Sequence, residues 1–219
     1  MDPKAFNNLM KARHSVRVFQ KKEIPEETLK EIIRTALQTP SWCNNQPWNI
    51  YVASGKTLTE IRNIWESKGK EGIKGYSDLP PGHRTDYSER SQKTMEIFFK
   101  DVGALFQDPK FKPFVDTANH LFYAPTLVYL TISKKINQYS ILDLGALEMS
   151  IVLSAKSYGV DSLIAYESIK YPDVIRKYCK VPDDESIIIG IALGYEDEEI
   201  KSDFRSKKLS VDEVCHFLK

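Results

Sequence analysis

Cysteine is scarce in this 219-residue chain. Cys43, Cys179 and Cys215 are odd in number, widely spaced and form no Cys-x-x-Cys pair. They support neither a disulfide scaffold nor a zinc cluster, and they fit a reducing cytoplasm. Charge of one sign is also lacking: 31 Lys and Arg stand against 30 Asp and Glu, a net charge of +1. The balance gives no bulk electrostatic reason to expect nucleic acid or a membrane surface as partner, although local basic clusters can hold a small anion. Long apolar runs are missing too. The longest, 121–132 and 187–195, are too short to span a bilayer as helices. Met1-Asp2-Pro3-Lys4 leads into an amphipathic stretch rather than a secretory leader, so a soluble cytoplasmic protein is expected. There is no Gly-rich nucleotide fingerprint, no phosphate loop, no His-Glu-x-x-His and no Gly-x-Ser-x-Gly. The histidines at 14, 83, 120 and 216 are scattered without metal-ligand spacing, so no metal site is expected. Cys43 lacks the context of a nucleophile.

What is present suits one domain with a substantial core: 42% of residues are hydrophobic and 11% aromatic. Helical spacing predicts a short helix over 3–12 and a second after Pro25, stopped by Pro40. A polar loop over 40–47 precedes a strand at 48–53, and a helix follows over 57–65. Residues 66–90, rich in Gly and Pro among charges, read as a long mobile loop. A helix returns over 91–106, and 108–113 is irregular. A buried strand is expected at 126–132 and a nearly all-apolar central helix at 141–158, closed by Gly159. Strands at 162–166 and 186–193, a helix at 172–179 and a closing helix at 211–218 complete an α+β pattern.

Three polar clusters stand out. Arg13-His14-Ser15-Val16-Arg17 places two guanidiniums and a hydroxyl within five residues, which suits a phosphate. A solvated helix end with cations near the C-terminal dipole is the plain alternative. Ser41 to Trp48 sets Ser, two Asn, Gln and two Trp between prolines, matching either a planar heterocycle or a structural turn. Phe204-Arg205-Ser206-Lys207-Lys208-Leu209 is basic again and, alone, an ordinary exposed charge run.

In this order the clusters resemble the nitroreductase family of FMN-dependent oxidoreductases. The resemblance also draws on Ala155-Lys156-Ser157-Tyr158-Gly159-Val160, on Tyr171-Pro172-Asp173-Val174-Ile175-Arg176 and on Gly190-Ile191-Ala192-Leu193-Gly194-Tyr195. It runs from about residue 6 to 215 and weakens over 66–120. It implies a three-layer α/β/α sandwich with a mostly antiparallel central sheet, in an entwined homodimer whose flavins lie between the subunits. FMN would be the bound cofactor and NADH or NADPH the co-substrate. Electron-poor acceptors such as nitroaromatics or quinones would be reduced by a ping-pong mechanism. A reductive dehalogenase, an activated-alkene reductase or a flavin-storage module are the alternatives on the same fold.

Carried over residue by residue, the resemblance gives the phosphate to Arg13, Arg205 and Lys207, with Lys208 as a possible substitute and Ser15 and His14 adding polar contacts. Arg17 would stand near the flavin N1 edge and stabilise the reduced ring. Pro40, Ser41, Trp42 and Asn44 would reach the flavin held mainly by the partner chain. The strand end at Ile164 and Ala165 would lie beside the ring, with a backbone N–H toward N5. No side chain is expected to act as acid, base or nucleophile. Met149 departs from the family, in which many members carry Gln. The aromatic-rich 66–120 segment is either an excursion packed on the core or a lid over the acceptor.

Overall fold

The computed structural model describes residues 2–135, 137–201 and 203–218. Its architecture follows from strands whose alternate side chains are both apolar, which demands cover on both faces of the sheet. The strand β1 (Trp48–Ser54) follows the helices α1 (Pro3–Ala12) and α2 (Glu26–Ala36). α3 (Gly55–Lys70) and α4 (Glu89–Gln107) come next, then β2 (Thr126–Ser133) and α5 (Gln138–Ser157). β3 (Asp161–Ile164), α6 (Pro172–Cys179), β4 (Glu185–Gly194) and the short α7 (Val211–Val214) close the order. The sheet runs β1-β2-β4-β3, every neighbouring pair antiparallel.

β2 is buried from Thr126 to Ile132. Leu127 and Tyr129 pack with Leu58, Ile61 and Trp65 of α3 and Val174 and Ile175 of α6. Val128, Leu130 and Ile132 point the other way, onto Leu29 and Ile32 of α2 and Leu144, Leu147 and Ile151 of α5. This makes the expected three layers, each fully buried aliphatic side chain contributing about 1.5–3 kcal/mol.

α5 shows how local sequence fixes its ends. Asn137 caps the start by accepting from the Ser140 N–H at 2.9 Å. At the far end Gly159 takes φ +73°, while the Val160 N–H returns to Ala155 O at 2.9 Å and the Gly159 N–H to Lys156 O at 3.1 Å. That is a Schellman close, for which glycine is the least strained residue.

Several expectations need correction. α3 runs five residues past Trp65, because buried Trp65 anchors a face whose remaining positions are polar. The expected loop over 66–90 is therefore helical at its start, and it carries a 3-10 turn at Arg84–Asp86. The irregular stretch after α4 winds into 3-10 turns at Pro109–Val115 and Thr117–Tyr123. The closing helix shrinks to Val211–Val214, since Phe217 and Leu218 are exposed and find no surface to pack on.

β3 stops at Ile164 because the chain tightens into a 3-10 turn at Tyr166–Ile169 that packs on Gly190. A Cβ at Gly190 would stand 2.1 Å from Ser168 Oγ, so any larger residue would have to displace the Ser168 side chain. Among the aromatics of the excursion, Phe114 is buried, as is Trp65 just before it, whereas Tyr76, Tyr87 and Phe99 are exposed.

Candidate functional site

The strip 13–17 leaves α1 and runs along the free edge of β3. Val16 N–H donates to Ser162 O at 3.1 Å, in a parallel bridge between Ser15 and Ser162. Further on, Gln20 N–H reaches Tyr195 O at 2.9 Å, and Asp197 N–H reaches Val18 O at 3.1 Å. The strip is thus held between β3 and the segment that follows β4. Val16, Val18 and Phe19 turn into the core, which leaves Arg13, Ser15 and Arg17 facing outward.

Beside them lies a cleft of about 570 Å³. Met10, Lys11, Arg13, His14, Ser15 and Arg17 form one wall, and Phe204, Arg205, Ser206 and Lys208 form the opposite one. Phe98 of α4 also lines it, its ring centroid 6.3 Å from that of Phe204. Five of these lining residues are Lys or Arg, and none is Asp or Glu. Residues 13–17 and 204–208, nearly two hundred positions apart, therefore share one site.

The cations differ in their surroundings. Arg17 donates to Ser15 O at 3.3 Å and has no carboxylate partner among the described residues. Burial pushes its guanidinium below the ordinary value, since nothing nearby repays the lost hydration. Lys208 donates to Ser206 Oγ at 2.9 Å, and Arg205 to Phe204 O at 2.9 Å. Lys207 is not brought to the cleft. It lies in the adjoining groove between α4 and the C-terminal arm, 3.9 Å from the Asp101 carboxylate. Along an extended arm neighbouring side chains point to opposite sides, so only one of the two lysines can face inward.

His14 is also placed differently from expectation. It borders the cleft, but both ring nitrogens are engaged inward, Nδ1 with Ala12 O at 3.0 Å and Nε2 with Glu196 Oε1 at 3.1 Å. Phe98, Phe204, Ser206 and Glu196 were not singled out as site residues from the sequence. Phe204 and Ser206 sit inside the basic motif and were legible there. Nothing local distinguishes Phe98 or Glu196.

The loop 40–47 does not join this cleft within one chain. It is pinned to α5: the Trp42 N–H donates to Asp143 Oδ2 at 3.0 Å, and the Trp42 ring lies 4.9 Å from that of Tyr139. Ser41 Oγ accepts from the Gln46 N–H at 2.8 Å, closing a turn in which Cys43, Asn44 and Gln46 take positive φ. Pro40, Trp42 and Asn44 remain exposed, as do Leu142 and Tyr139 of α5.

At the β3 end the Ala165 N–H is engaged by Gly190 O at 2.8 Å. The β3–β4 register pairs Ile164 with Ile191. Alternation of antiparallel bonding therefore turns the Ile164 N–H outward, to the edge along which the strip 13–17 runs. Counted from the Ser15–Ser162 bridge, Arg17 and Ile164 are each two residues further on.

In this three-layer α/β/α fold, a cleft at one sheet edge lined by five cations and no carboxylate offers complementary charge to a small anion. The chain belongs to the nitroreductase family: the Nitroreductase family model matches residues 10–195. It is 27% identical over 202 residues to a 4-nitrobenzoate reductase of Nocardioides sp. (strain LMS-CY), covering 89% of this chain and 82% of that one. To a 4-nitrobenzoate reductase of Pseudomonas putida it is 28% identical over 197 residues, covering 88% and 86%. The fold matches the crystal structure of the FMN-dependent nitroreductase NfnB from Mycobacterium smegmatis in complex with NADPH, with a TM-score of 0.88, 22% identity and 99% of each chain covered. Among the described residues no helix is long and apolar enough to cross a membrane, and no group of three His, Cys, Asp or Glu side chains is placed to hold a metal ion.

Proposed function

We propose that the chain is an FMN-dependent oxidoreductase that draws on NADH or NADPH and reduces electron-poor aromatic acceptors such as nitroaromatics or quinones. The observation that carries this reading is the convergence of Arg13, Arg17, Arg205 and Lys208 on one cleft without a carboxylate. The donor set fits the cofactor. A phosphate dianion suits the guanidiniums of Arg13 and Arg205 with Lys208, and the Ser15 and Ser206 hydroxyls can meet a polyol chain. The volume lies within the roughly 300–1,000 Å³ usual for small-molecule sites.

Bound there, FMN supplies a two-electron carrier between the nicotinamide nucleotide and the acceptor. The protein's part is placement and charge. Arg17, half-buried and without a carboxylate, is poised to favour negative charge beside it, which stabilises the reduced form of a ring lying against it. The Ile164 N–H is the backbone donor this edge offers, the Ala165 N–H being engaged. No side chain in the cleft need move a proton. Reductant and acceptor alternating in one site would give ping-pong kinetics. The exposed Trp42, Tyr139 and Leu142 surface supports a homodimer in which the loop 40–47 completes the partner's site. Phe98 in the cleft lining supports a covering role for the excursion 66–120, all within one domain spanning the chain.

The test is spectroscopic. Purified protein is expected to be yellow with FMN at one per chain, to bleach anaerobically on addition of NADH or NADPH, and to recover colour with 4-nitrobenzoate or a quinone. Yellow protein that neither nucleotide bleaches would favour a flavin-storage module. Colourless protein that cannot be reconstituted with FMN would overturn the reading.

A further inference from the structure

The family resemblance assigns His14 a polar contact to the phosphate, but its ring is turned the other way. Its Nδ1 faces a carbonyl oxygen, so Nδ1 is the donor in that bond. Its Nε2 faces Glu196 Oε1 at 3.1 Å, and both side chains are about nine-tenths buried. One proton therefore lies between Nε2 and Oε1, and the pair is neutral as a unit whichever atom carries it. The Glu196 carboxyl thus stands one imidazole behind a cleft otherwise free of acids.

The same glutamate joins both walls of the site. Its backbone N–H donates to Asp161 Oδ2 at 3.0 Å, and its carbonyl accepts from Gln20 Nε2 at 2.8 Å. Asp161 is paired in turn with Lys156 at 2.6 Å. Glu196 also forms the antiparallel bridge with Phe19, between the strip that carries Arg13 and the arm that carries Arg205. We propose that Glu196 is a positioning residue for the anion cleft, and that His14 serves the cleft by masking the Glu196 charge rather than by touching the ligand. The inference rests on the FMN reading above for its ligand, not for its geometry. A buried carboxylate deprived of its partner repels a phosphate lodged in front of it.

His14→Gln separates the two roles, since its amide can still donate to Glu196 but supplies no neutralising proton. FMN affinity of the flavin-free protein is expected to fall about five-fold or more in His14→Gln and to return to within about two-fold of the parent in His14→Gln/Glu196→Gln. Thermal unfolding of the flavin-free proteins, run alongside, separates affinity from stability. Removing a charge does not repair a merely structural defect, so rescue by the second substitution distinguishes the two. Parent-like affinity in His14→Gln, or a double variant as weak as the single one, overturns the proposal. Parent protein that binds no FMN ends the flavin reading instead. The pairing is then read with inorganic phosphate by thermal shift, where the same order is expected and equal shifts in all three proteins overturn it.

Discussion

The strip 13–17 and the loop 40–47 are both polar and each follows a helix, α1 and α2 respectively, yet the fold uses them in opposite ways. The strip is clamped on two sides, by β3 at Ser162 and by the segment 195–197, and its cations meet Arg205 and Lys208 within one chain. The loop is clamped on one side only, through Asp143 and Tyr139 of α5, and presents Trp42 outward. The segment held on both sides brings its cations to the opposite basic segment within one chain. The one held on a single side leaves its outer face and the apolar α5 surface beside it exposed, the face that the proposed homodimer would use.

Substitutions can break this contrast. The largest effect is expected from Arg17→Ala, which removes a guanidinium with no carboxylate partner among the described residues: about 2–4 kcal/mol of preference for the reduced flavin should disappear. A lower two-electron midpoint potential, measured by dye equilibration, is the expected outcome, with FMN affinity changed less than the potential. Arg205→Ala should cost about 1.5–3 kcal/mol of FMN binding, the range of a charged hydrogen bond, read by fluorescence titration. Trp42→Ala should lower FMN affinity less than Arg205→Ala does, and only through the partner's site. It should lose only the Tyr139 ring contact, about 0.5–1.5 kcal/mol, while weakening self-association in sedimentation equilibrium. An Arg205-sized loss of FMN affinity in Trp42→Ala would erase the contrast.

The smallest effect concerns the base of the excursion. His120 Nδ1 lies 2.7 Å from Glu66 Oε1 and its Nε2 lies 3.1 Å from Asp116 Oδ2. Burial disfavours its charge, but the two carboxylates outweigh burial and hold the imidazole above its ordinary value of 6.5. A raised folded-state value means that the clasp stabilises fully below the unfolded value and is lost as pH rises through the folded one. With Asp116 largely exposed, the change is expected to stay below about 1 kcal/mol. Glu66→Gln should flatten that part of the stability profile in denaturant titrations, and an unchanged slope would assign it elsewhere.

Much of the scaffold was readable because its signals are local. Pro25 and acids open α2, Gly159 closes α5 and Pro172 opens α6 where expected, whereas α5 starts three residues before the expected 141, at the Asn137 cap. The ends that strayed are those decided by packing. Trp65 extends α3 by being buried, and Phe217 and Leu218 end α7 by having nothing to cover them. At the site, the basic residues were readable as motifs, but their facing was not. Which of Lys207 and Lys208 turns inward depends on the path of an extended arm beside Asp101. The inward turn of His14 depends on a glutamate 182 positions away, a separation no local pattern encodes.

The phosphate is the most direct handle on the central claim, that two remote basic segments form one anion site. Flavin-free protein titrated with FMN and with riboflavin compares ligands that differ only in that group. Two or more charged hydrogen bonds predict FMN binding at least about 100-fold tighter, with the gap narrowing in Arg205→Ala. Equal affinity for the two flavins would contradict the account.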